Sequence, residues 1–335
     1  MFRRFQMSFL SVLAIFLAVA GPASASAPKV VATIPPLQSL AAIAMEGVGF
    51  PDVLLSGGET PHSFALRPSH SRMLSSADII IRIGDGFEGF LKKPLRSLAR
   101  RATVLQLDSL AGLELYAYRR TGGHDDKAEE PRHTGGHASG HASGHDHDHD
   151  HDHDHDHDHE QGIDPHLWLH TGNAIVVLRA ISAALSKADP ENAPIYQGNA
   201  ARGAIRLRAL KLEIDRMLSP VRERPYFVFH DAWQYFDREF SLRGGGSIAI
   251  SPERKPGARR LAEVRDSIRA TGARCVFAEP QFPPALVKTV IRGTAARLAV
   301  LDPLGAGLAK GSGQYFQLMR SLAKGISSCL KGTDR

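Results

Sequence analysis

Short apolar runs recur along this chain, and helix-like stretches separate them. "KVVATI" (residues 29–34), "DIIIRIG" (78–84) and "ATVLQL" (102–107) are rich in β-branched residues and too short for helices. Between them, 69–77 and 87–100 carry a helical pattern. A polar stretch interrupts this rhythm, a long helical pattern follows it, and the rhythm then restarts. "PYFVFH" (225–230), "GSIAI" (246–250), "RCVFAEP" (274–280) and "RLAVLDP" (297–303) are again strand-like. Strands alternating with helices predict βαβ units and mainly parallel sheets. The pattern from 191 to 218 reads as one helix containing "AIRLRALKLEIDRML". The expected fold class is therefore α/β: a first lobe over 26–190, a linking helix over 191–220 and a second lobe over 221–335. In open α/β sheets ligands bind at the carboxyl ends of strands, which places a site in the cleft between the lobes.

The interruption, 119–163, has almost nothing to bury and predicts a disordered surface insertion. It holds twelve of the seventeen histidines, eight of them alternating with aspartate: His145, His147, His149, His151, His153, His155, His157 and His159. It also carries 12 acidic and 4 basic residues, which leaves the remainder of the chain at +14 against +6 overall. No basic run is interleaved with aromatics, so nucleic acid is not an expected partner.

The N-terminus reads as an export signal. Arg3 and Arg4 precede twelve mostly apolar residues (9–20), and "ASASA" follows. The apolar stretch is shorter than the ~20 residues of a spanning helix. Cleavage after Ala25 gives a mature protein from Ser26 that is periplasmic and not membrane-anchored. In an oxidising compartment the lone cysteine pair, Cys275 and Cys329, reads as a disulfide, with two buried free thiols as the alternative.

Five histidines lie outside the insertion. His62 is in the loop "GGETPHSFALRPS", His166 in "DPHLWLH", and His230 ends "PYFVFH"; Asp302 ends a strand in "RLAVLDP". His70 reads as a surface residue and His170 as a helix start. No local metal motif links these positions, and by pattern alone each is an ordinary loop or core histidine. Trp168 and Phe64 read as packing residues. Arg67 is a candidate for an ion pair, and Glu279 for a hydrogen-bond partner of a cleft histidine.

Taken together and in order, "GGETPHSFALRPS", "DPHLWL", "FHDAWQYFDREFSL", "FAEPQF" and "LDPLG" resemble the metal-binding segments of periplasmic zinc-binding proteins that serve ABC importers. The resemblance runs from about Lys29 to the C-terminus. It implies two α/β lobes bridged by a long helix, a Zn²⁺ cargo, a membrane ABC permease as partner, and a monomer. It further implies that His62, His166 and His230 are the imidazole ligands and the His/Asp run an auxiliary collector. The fourth position stays open among Asp302, Glu59, water and a loop histidine. Glutamate precedes the first histidine in some zinc-binding members, whereas Pro61 stands there in this chain. Manganese-binding members, including adhesins of this fold, carry a carboxylate where His230 stands, and imidazole suits zinc. The rival from another class is a zinc hydrolase, since three histidines and a water also make a catalytic site; it would need a general base and a substrate pocket.

Overall fold

The computed structural model describes residues 26–55, 58–61, 64–119, 162–249 and 255–332. The export signal, His62 and the auxiliary histidines His145 to His159 lie outside these residues.

The first lobe contains β1 (Val30–Ala32), α1 (Pro35–Ala44), β2 (Asp52–Val53), α2 (Pro68–Ser76), β3 (Ile79–Arg82), α3 (Lys92–Leu98) and β4 (Thr103–Gln106). Its sheet is parallel, in the order β2-β1-β3-β4. β1 and β3 are buried along their whole length, as central strands of a parallel sheet covered on both faces must be. Pro35 and Pro36 both end the first apolar run and open α1, where a missing N–H costs nothing.

α4 (Thr171–Ala188) and α5 (Ala193–Leu218) follow. With 26 residues, α5 spans roughly 39 Å. Its inner face (Tyr196, Ala200, Gly203, Leu207, Leu210, Ile214, Leu218) repeats every three or four residues. A Cβ on Gly203 would stand 2.6 Å from Leu178 and 2.8 Å from Ile43, so glycine is what lets α5 close on α4 and α1.

The second lobe contains β5 (Tyr226–Val228), α6 (Gln234–Glu239), β6 (Gly244–Ser247), α7 (Ala258–Thr271), β7 (Cys275–Ala278), α8 (Ala285–Ile291), β8 (Arg297–Val300) and α9 (Gln314–Lys331). The sheet order is β6-β5-β7-β8, again parallel, so the second lobe repeats the first lobe's topology. Its strands alternate faces. Phe227 and Val276 pack outward with Val264, Ile268 and Val287, while Tyr226, Val228 and Phe277 join a larger core that continues through α9, α5 and the first lobe. β6 lies earlier than the expected "GSIAI" because its glycines admit a neighbour: a Cβ on Gly245 would meet the Phe227 ring at 2.8 Å.

α9 begins in the second lobe but packs on α5 and α1. Ser39 Oγ accepts from Tyr315 N (2.9 Å) and donates to Gly311 O (2.7 Å). The other end of α9 is fixed by the expected disulfide, Cys275–Cys329, with a Cα–Cα distance of 6.2 Å.

The edges of the polar insertion differ from expectation. Arg119, Gly162 and Ile163, placed inside a disordered 119–163, belong to ordered backbone. Ala117 and Ile163 form an antiparallel bridge, flanked by Tyr118 N→Gly162 O (3.2 Å) and Asp164 N→Tyr116 O (2.8 Å). The two ends of the insertion thus leave the fold side by side.

Candidate metal centre

His166 stands two residues beyond that paired stem, at the head of a 3-10 turn over Leu167–Leu169. Asp164 Oδ1 accepts from both His166 N (3.0 Å) and His166 Nδ1 (2.7 Å). Tyr235 OH in turn donates to Asp164 O (2.8 Å). A carboxylate on Nδ1 fixes the proton there and leaves Nε2 as a lone-pair donor.

His230 follows β5, where the parallel ladder ends. Glu279, just past the neighbouring β7, receives its Nδ1 proton at 2.6 Å, as expected for that residue. Burial disfavours the charged ring, but the Glu279 carboxylate, together with those of Asp231 and Asp164, outweighs it and holds the His230 pKa above the ordinary histidine range. Both rings and both carboxylates are buried.

The two Nε2 atoms face each other at 3.4 Å. Two nitrogens about 2.05 Å from one zinc ion, at the tetrahedral angle, lie roughly 3.3 Å apart. The pair therefore has the separation of two ligands on one small cation, with each ring oriented from behind by a carboxylate.

Aromatic rings frame the pair. Phe87 and Trp168 lie 5.8 and 5.3 Å from the His166 ring, and Phe282 lies 5.5 Å from His230. Phe87 and Phe282 carried no signal in the sequence beyond being apolar. Phe87 is held by its neighbour Glu88, whose fully buried carboxylate accepts from Thr33 Oγ1 (2.6 Å), Ile83 N (3.1 Å) and Gly84 N (2.9 Å). Trp168 packs as expected, donating from Nε1 to Pro303 O across the lobes at 2.9 Å. These residues line a half-open cavity of about 20 Å³, together with Thr60, Pro61, Gln281 and Leu304. That is room for one ion or water, whereas an organic ligand needs hundreds of Å³.

The remaining candidates fall in different places. Thr60 and Pro61, which lead to His62, line the cavity. Asp302 does not; its carboxylate is bonded to Gln281 Nε2 (2.9 Å), Leu304 N (3.0 Å) and Ala306 N (2.8 Å). Glu59 is paired with Arg67, the ion pair suggested for that arginine. Among the described residues no group of three or more His, Cys, Asp or Glu converges on one point. His170 caps α4 as expected, its Nδ1 accepting from Asn173 N at 3.2 Å. His70 is not a surface residue: it is 8% exposed, accepts from Arg67 N (3.1 Å) to cap α2, and packs on Phe64.

The family described as zinc-uptake complex component A, periplasmic (ZnuA), matches residues 30–329. The ZnuA protein of a high-affinity zinc uptake system in Brucella abortus (strain 2308) is 42% identical over 304 residues, 90% of this chain and 91% of that one. Its counterpart in Paracoccus denitrificans is 40% identical over 314 residues, 93% and 94% of the two chains. A crystal structure of a ZnuA deletion mutant with zinc bound shares the fold, with a TM-score of 0.70 and 23% identity over 90% of this chain and 98% of that chain. The chain belongs to the ZnuA family of periplasmic zinc-uptake components.

Proposed function

We propose that this protein captures Zn²⁺ in the cleft on Nε2 of His166 and His230, with His62 as third imidazole, and delivers it to an ABC permease for uptake. The observation that carries the reading is the 3.4 Å separation of two inward-facing Nε2 atoms, each backed by a buried carboxylate. His62 fits because the residues leading to it line the cavity. Asp302 would have to exchange bonds from its own turn for the metal, so water is the better fourth partner.

Residues 1–25 have the make-up of a cleaved export signal. No helix among the described residues is long and apolar enough to cross a membrane. The small cavity disfavours the hydrolase reading. Imidazoles at His166 and His230 favour zinc over manganese.

The test is zinc titration of single His62→Ala, His166→Ala and His230→Ala variants. The background lacks residues 122–160, so that the loop histidines do not mask the loss. Each variant should bind at least ~10-fold more weakly, since each loses an inner-shell bond from a site with few ligands. Binding as tight as the parent's in all three would overturn the assignment.

A further inference from the structure

Several polar contacts tie the segment after His230 to the segment before His166. The segment after His230, residues 231–237, grips the paired stem that leads to His166. Arg119, the last described residue before the polar insertion, forks onto Asp231: Nε bonds Oδ2 at 2.7 Å and Nη2 bonds Oδ1. Its Nη1 reaches Asp237 Oδ2 at 2.9 Å, and Tyr226 OH donates to the other oxygen of Asp237. Gln234 Nε2 donates to Ala117 O (2.7 Å), and Tyr235 OH accepts from Tyr116 N (3.2 Å) while donating to Asp164 O (2.8 Å). Asp231 adjoins His230 in sequence, and Asp164 holds the His166 ring.

His166 leaves the stem and His230 leaves β5, and these elements meet through α6 and Arg119. Two charged groups make these links: the Glu239 carboxylate of α6 accepts from Thr171 N (2.7 Å), and Arg119 forks onto Asp231, which fixes direction as well as distance. A ligand must be held within about 0.5 Å of its productive position.

We infer that Arg119 is a positioning residue for the zinc site: through Asp231 and Asp237 it sets the separation of His230 and His166. This rests on the proposed assignment of those histidines as zinc ligands.

The experiment is a double-mutant cycle in the full chain, read by competition with a chelator that outcompetes the loop histidines, so that only the tight zinc step is seen. Arg119→Gln should weaken that step by roughly 5-fold or more in the parent and by less than about 2-fold in the His230→Ala background. Arg119→Lys, which keeps the charge and loses the fork, should recover only part of the affinity. Because Arg119→Gln strands the buried Asp237, the Arg119→Gln/Asp237→Asn variant is measured beside it. Thermal stability should return in that variant while zinc affinity stays low. Affinity that returns together with stability, or an equal loss with and without His230, would overturn the inference. An unchanged tight step in His230→Ala alone would overturn the site assignment beneath it.

Discussion

The two histidines share a design and differ in how it is secured. His166 is oriented by Asp164, two residues away, on a stem held by backbone pairing and Tyr235. His230 is oriented by Glu279, 49 residues away on the next strand. One support is local and travels with its segment. The other exists only while β5 and β7 are in register, and β7 is the strand that the disulfide ties to α9. The local half of the site should therefore survive perturbations that loosen the distant half.

The largest expected effect breaks the distant support. Cys275→Ser/Cys329→Ser opens a cross-link of sequence separation 54, worth about 4 kcal/mol in the chain-entropy model. Denaturant unfolding should show a loss of that order. Native-state hydrogen exchange should rise in β7 and α9 more than in residues 162–169. Equal rises in both regions would remove the distinction between the two supports.

Removing one carboxylate at a time sharpens the comparison. Glu279→Gln and Asp164→Asn should each weaken zinc binding by roughly 10- to 100-fold. Glu279→Gln should cost more, because the backbone bonds that hold the 164 turn remain when its charge is lost. A larger loss in Asp164→Asn would show that locality gives no protection.

The smallest effect is in the pH profile. Zinc needs the neutral ring, so binding weakens as pH falls. Because Glu279 holds the His230 pKa up, the decline should begin above pH ~6.5, the ordinary histidine value. In Glu279→Gln burial is opposed only by the Asp231 and Asp164 carboxylates, and the onset should move to lower pH even though affinity at pH ~8 is reduced. For the metal-free protein the sign reverses. A raised folded-state pKa stabilises the fold fully below pH ~6.5, and that contribution is lost as pH rises through the folded value. Calorimetry across pH, with and without zinc, checks both directions.

Most of the fold was legible because central parallel strands leave continuous apolar runs, and α5 leaves a helical stripe. β6 was misplaced because glycine has no strand signature; its role is set by the Phe227 ring across the ladder. Arg119 borders polar low-complexity sequence and so carries no local sign of order, and its two aspartates lie 112 and 118 residues away. His70 departs from the expected surface position because its ring caps its own helix and packs on Phe64, contacts that no local pattern announces. In the site, His166, His230 and Glu279 could be named from strand exits and family motifs. The apposition of Nε2 atoms 64 residues apart could not, since it arises only when elements of both lobes pack together.

The most direct measurement is diffraction from zinc-loaded crystals with anomalous data collected at the zinc edge. The account predicts one strong peak about 2.0–2.1 Å from Nε2 of both His166 and His230, with Asp164 and Glu279 still on the Nδ1 atoms. A principal zinc peak elsewhere, or one that leaves the two Nε2 atoms uncoordinated, would contradict it.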